Sequence, residues 1–141
     1  MNILMLVADF PPMMHGGVAN YSYNIAKYLS ADNSVNVYMF PRGSAVTKYL
    51  ANISFIIDIA RKLQEKRSRK EVDIIYAVSF QPQFGIIALF AKLLGLPVVS
   101  HGVGLDVYLI DPLYVFGRRT SYLFSTKIIC GTHFQKRVIL G

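Results

Sequence analysis

With 141 residues, the chain has room for one domain with a real core and too little for two full ones. Its 53% apolar content is that of a chain that folds, while its longest apolar run, around residues 84–91, is cut by Lys92 well short of the roughly 18–20 residues that a membrane-spanning helix needs. A formal charge of +7 favours anionic partners such as sugar nucleotides, anionic lipid or nucleic acid, and a single cysteine excludes an internal disulfide and a cysteine-built metal site.

The N-terminus has no basic leader and enters a strand pattern directly, so a cytoplasmic location is expected. Residues 3–8 are almost wholly apolar, as suits a strand covered on both faces. The loop 9–17 follows, and then Val18, Tyr21, Ile25, Tyr28 and Leu29 recur at helical spacing, which predicts a first helix burying that stripe. Residues 35–40 read as a second strand, broken by Pro41, Arg42 and Gly43. Leu50, Ile53, Ile57, Ala60 and Leu63 then mark the buried stripe of a long second helix with a basic end.

Residues 73–78 make a third strand. Pro82 stands at a helix start, where its missing N–H costs little, and the helix continues over 84–94 to a capping Gly95. Residues 97–100 form a fourth strand, followed by a loop with His101, Gly102, Gly104 and Asp106 and a helix over 113–124. Residues 127–130 form a fifth strand, with Cys130 expected as a small core residue. Thr132 and Gln135 have capping-box spacing, so a last helix is expected over 134–140. Strands alternating with helices predict a single α/β domain over 1–141, a Rossmann-like three-layer sandwich on a central parallel sheet. Right-handed crossovers suggest the strand order 3-2-1-4-5, with functional loops at the carboxyl ends of the strands.

The loop after the first strand carries Gly16 and Gly17. A glycine pair at a helix N-terminus lets backbone N–H groups approach a phosphate or sugar, and equally serves simply to turn the chain. The order Phe10-Pro11-Pro12, Gly16-Gly17-Val18, Tyr21, Ile25-Ala26 and Leu29 resembles the opening of family 4 glycosyltransferases of the GT-B fold. Residues 73–77, Val99-Ser100-His101-Gly102, and 127–130 with Thr132 resemble later strands of the same family, so the likeness spans nearly the whole chain.

The resemblance implies the N-terminal, acceptor-side half of a retaining, metal-independent transferase that moves a sugar from a nucleotide-sugar donor to an acceptor without a cofactor. A C-terminal donor-binding domain, absent from this chain, would grip the nucleotide, so the chain alone is expected to be inactive. By the same resemblance Gly16 and Gly17 would lie against the donor's diphosphate and sugar, and His101 would act at the reacting centre by orienting the donor or stabilising charge. Asp106 is a weaker binding candidate, because the family commonly reads His-Gly-x-Asp and here two further residues intervene. Ala19 and Asn20 stand where the family often has an acid. His15 and His133 are expected at the surface.

The run with Arg61, Lys62, Lys66, Arg67, Arg69 and Lys70 reads first as a solvated helix end. The sharper reading rests it, with Arg118 and Arg119, on anionic membrane. No nucleic-acid motif accompanies it. A dinucleotide oxidoreductase is disfavoured by the lack of Gly-x-Gly-x-x-Gly, and a phosphoacceptor domain by Ala77-Val78-Ser79 where an aspartate is required. The remaining alternative is a stand-alone binding or partner module on the same scaffold.

Overall fold

A computed structural model describes residues 1–13, 16–40, 45–108, 110–132, 135 and 137, with side chains at all of these except 45–52, 105 and 106. Five strands, β1 (Asn2–Val7), β2 (Ser34–Met39), β3 (Ile74–Val78), β4 (Val98–Gly102) and β5 (Lys127–Cys130), form one sheet in which every pairing is parallel. Helices α1 (Gly17–Leu29), α2 (Ala45–Ser68), α3 (Pro82–Leu93) and α4 (Pro112–Phe124) connect them. The α/β sandwich expected from the alternating pattern is thus the observed architecture.

The strand order is β2-β1-β3-β4-β5, not the expected 3-2-1-4-5. Strand composition accounts for the difference. β2 carries exposed Ser34 and Asn36, which an edge strand tolerates, whereas the Ile-Ile-Tyr-Ala-Val run of β3 is buried from its second residue onward and fits a central place beside β1. The chain therefore steps from β1 to the edge, then returns past β1 to lay down β3.

Alternation along the strands sorts the core into two layers. Leu4, Leu6, Ile75, Ala77 and Val98 meet Phe55, Ile59 and Leu63 of α2 and Phe84, Ile87, Ala88 and Ala91 of α3. On the opposite face Ile3, Met5, Val7, Tyr76 and Val78 meet Ala26 of α1, with Ile25 and Leu29 beside it. Both helical stripes are displaced in part from those expected, with Ile25 and Leu29 of α1 and Leu63 of α2 in their expected places. On α1 the buried residues are Ala19, Ser22 and Ala26, while Tyr28 is 80% exposed and Tyr21 38%. Small side chains let the helix lie close to the sheet, and the bulky tyrosines are carried to its flanks. On α2 the stripe is Phe55, Ile59 and Leu63, because Phe55 packs edge-to-face on Phe40 with ring centroids 5.2 Å apart; Ile53 and Ile57 are left exposed.

The helix ends follow their local chemistry. Pro82 opens α3, and beyond its last turn the Gly95 and Leu96 N–H groups donate to the Lys92 and Ala91 carbonyls, a Schellman closure with Gly95 at φ 71°. Asp111 caps α4 by accepting from the Leu113 N–H at 2.9 Å. The expected box at Thr132 and Gln135 is present: Thr132 Oγ1 accepts from the Gln135 N–H at 3.1 Å, and Gln135 Oε1 accepts from the Thr132 N–H at 3.2 Å and the Gly131 N–H at 2.7 Å. Most of the helix expected over 134–140 lies outside the described residues, as do His15, His133 and the break at Pro41, Arg42 and Gly43. Cys130, expected in the core, is only half buried, because β5 is the other edge of the sheet.

Candidate functional site

α1 begins at the carboxyl end of β1, and Gly16 precedes it with φ 149° and ψ 176°, a conformation open to glycine and costly for other residues. Gly16 has no side chain with which to cap this end, and the first turn of α1 begins beside this glycine at the carboxyl edge of the sheet. A Cβ added at Gly17 would meet nothing within 4 Å, so the bare backbone fronts open space. Phe10, from the Phe-Pro-Pro stretch, packs on Tyr23 of α1 with ring centroids 5.9 Å apart and anchors the loop to the helix.

That open space is a cavity of about 370 Å³, lined by Gly17, Val18 and Tyr21 of α1, by His101, Gly102, Val103 and Gly104 at the end of β4, and by Gly131 and Gln135 beyond β5. It therefore sits at the carboxyl edge of the sheet, where parallel α/β sheets bind ligands. His101 and Gly102 belong to β4 itself and not to the following loop, because the ladder with β3 pairs His101 with Val78 and that with β5 pairs Gly102 with Cys130. The histidine is thus held by a strand on each side. Its carbonyl also accepts from the Ser79 N–H at 2.8 Å, at a position where Ser79 has the strained φ of 111°. Asp106 lies in the 3-10 turn Gly104–Val107 just beyond, its side chain outside the described residues.

Two tyrosines clasp the His101 ring. The Tyr76 hydroxyl lies 2.7 Å from Nδ1 and the Tyr21 hydroxyl 2.9 Å from Nε2, and both phenol rings meet the imidazole edge-on. Burial lowers the His101 pKa below its ordinary 6.5 and keeps the ring neutral at neutral pH. Burial, aided by the Tyr21 phenol, pushes Tyr76 up to about 12, and burial raises Tyr21 as well. All three groups are uncharged near pH 7, so they hold one another by hydrogen bonds between neutral groups. None of the described residues lining the cavity is cationic.

Gly17 and His101, singled out from sequence, are brought together here, with Gly16 next to them. Tyr21 and Tyr76 were not recognised as site residues. Tyr21 fitted a core stripe on α1 and Tyr76 an apolar strand. The available signal was parity: residues paired side by side in a parallel sheet face the same way, so Tyr76, paired with Val99, shares a face with His101 two residues on.

The basic end of α2 lies away from this cavity, on the opposite face of the sheet. Lys66 pairs with Glu71 at 3.3 Å, Arg69 with Glu65 at 3.0 Å, and Lys62 stands 4.5 Å from the Tyr38 ring centroid. Arg61 instead borders an apolar groove with Ile57, Phe90 and Leu93. Among the described residues, no helix is long and apolar enough to cross a membrane, and no group of three or more acidic, histidine or cysteine side chains is placed to hold a metal ion.

Fold and site together define a doubly wound α/β protein whose sheet carries, at its carboxyl edge, a glycine-lined cavity with no cation among its described lining residues. The sequence matches no family model and no curated protein.

Proposed function

We propose that this chain is the acceptor-side half of a GT-B glycosyltransferase of the family 4 kind, which transfers a sugar from a nucleotide-sugar donor with retention of configuration. The observation that carries this reading is that Gly17 and His101, matched to the family's motifs on separate segments, line one cavity at the sheet's carboxyl edge. The start of α1, where Gly16 brings no side chain, offers N–H groups and a partial positive charge to the donor's diphosphate, and the neutral His101 end of the cavity suits the sugar. No cation stands among the described lining residues, and a donor-binding domain is the part that the family resemblance assigns to neutralising the charge of the diphosphate.

Under this reading His101 contributes through placement: held on both sides by the sheet and at both nitrogens by tyrosine, it fixes a polar group against the transferring sugar. The isolated chain binds nucleotide sugars weakly and does not turn them over. Gly17→Val, which projects into open cavity space, abolishes that binding and leaves the fold intact. Titration of uridine diphosphate glucose followed by amide chemical shifts checks this: responses confined to Gly17, Gly102 and Gly104 in the wild type and lost in the variant support the reading, and unchanged binding in Gly17→Val counts against it.

The same proposal includes peripheral contact with anionic membrane, supported by exposed Ile57, Phe90 and Leu93 beside Arg61. Apolar side chains that enter the lipid interface beside a cation that meets its headgroups are the usual elements of such a contact.

A further inference from the structure

We propose that the ligand-facing donor of the cavity is the Tyr21 hydroxyl, and that Tyr76 and His101 are positioning residues that aim its proton at an acceptor oxygen of the bound sugar. The proposal deepens the glycosyltransferase reading and rests on it for the nature of the ligand.

Tyr76 is only 9% exposed, and among the described residues its hydroxyl has one partner, Nδ1 of His101 at 2.7 Å. A buried hydroxyl proton needs an acceptor, and a neutral imidazole has one N–H and one lone pair. If Nδ1 carried the ring proton, it would donate to Tyr76 and leave the Tyr76 proton facing no acceptor. Tyr76 therefore donates to Nδ1, the ring proton resides on Nε2, and Nε2–H donates to the Tyr21 oxygen 2.9 Å away. The Tyr21 oxygen has accepted, so its own proton turns outward. Tyr21 lines the cavity and is 38% exposed, so that direction leads to the ligand.

This one-way chain changes what each residue can offer. The Nε2–H of His101 is already spent on Tyr21, and the Oε1 of Gln135 on the Gly131 and Thr132 N–H groups. Among the described side chains of the cavity, what remains to grip a ligand polar atom is the Tyr21 O–H, together with the amide N–H groups of Gln135. Both are neutral donors, and with no cation among the described lining residues they fit an uncharged hydroxyl oxygen better than a phosphate. Val18 and Val103 supply apolar wall for the C–H face of a sugar ring. Each hydrogen bond in the series polarises the next, so Tyr21 is a stronger donor than a solvated phenol.

The experiment is long-range proton–nitrogen correlation NMR on the chain labelled with ¹⁵N-histidine at neutral pH, with His101 assigned by its loss in His101→Gln. The wild type is expected to show the Nε2–H tautomer alone. Tyr76→Phe is expected to admit the Nδ1–H tautomer, and Tyr21→Phe to keep Nε2–H. An Nδ1–H tautomer or a charged ring in the wild type overturns the proposal, as does an unchanged pattern in Tyr76→Phe. Should Tyr76→Phe fail to fold, the wild type and Tyr21→Phe decide the direction by themselves.

Uridine diphosphate glucose is then titrated into the same samples. The Tyr21→Phe substitution is expected to weaken the response about threefold to tenfold, the loss of one neutral hydrogen bond. An undiminished response overturns Tyr21 as the donor. The tautomer is read without ligand, so the expected tautomer with no response to the probe supports the orientation while counting against the glycosyltransferase reading.

Discussion

His101 has a folded-state pKa below its ordinary 6.5, which makes it a source of pH-dependent stability. A base whose folded pKa is depressed binds more protons when unfolded. Its contribution is therefore complete above pH 6.5 and is lost as pH falls through the folded value. Thermal melts across that range are expected to show a steeper fall for the wild type than for His101→Gln, and parallel curves would show that the ring titrates normally. Gly16 and Gly17 separate strain from access. Gly16→Ala forces a side chain into glycine-only backbone space and is expected to cost about 1–3 kcal/mol in urea denaturation. Gly17→Val is expected to leave stability near that of the wild type. Much of this site was legible as residues but not as contacts: Gly16, Gly17 and His101 stand out by type and context, whereas a tyrosine in a helix stripe and another in a strand read as packing. Their role appears only when α1 and β3 bring both hydroxyls to one imidazole.

Element packing depends on two glycines. α3 and α4 approach closely where Gly85 faces Thr120 and Gly117 faces the backbone at the start of α3; a Cβ at Gly117 would stand 2.9 Å from both Gln81 C and Pro82 N. Backbone cannot give way as a flexible side chain can, so Gly117→Ala is expected to destabilise by roughly 1–3 kcal/mol, measured by urea midpoint at constant m-value. Elements were legible where chain signals are local. The proline start and glycine stop of α3 and the Thr132 and Gln135 box each depend on residues a few positions apart, and each took the expected form. Helix faces were less legible. Apolar periodicity on α1 and α2 fitted more than one stripe, and the observed choice came from the sheet, which admits Ala19, Ser22 and Ala26 in one place and a Phe40–Phe55 contact in another.

For the whole molecule, the alternation of strands and helices was enough for an α/β sandwich, but strand order was set by which strand tolerates an edge, a question of burial that local periodicity does not pose. The polar positions Ser34 and Asn36 on β2 were the available signal. At this scale the charge also acts. If the face with Ile57, Phe90, Leu93 and Arg61 meets lipid, co-sedimentation with anionic vesicles at low salt is expected to fall in Arg61→Glu and more in Arg61→Glu/Leu93→Asp, with neutral vesicles retaining little of either; equal sedimentation of all forms would remove the membrane contact. The central claim is sugar transfer, and its most direct test is the polypeptide that source cells make from this sequence, purified and assayed with radiolabelled nucleotide sugars beside a His101→Ala form whose fold is verified by circular dichroism. The expected product extends to a second domain, transfers sugar, and loses transfer when His101 is changed. A product that transfers nothing, or that transfers equally well without His101, would contradict it and leave the chain as a binding module on the same scaffold.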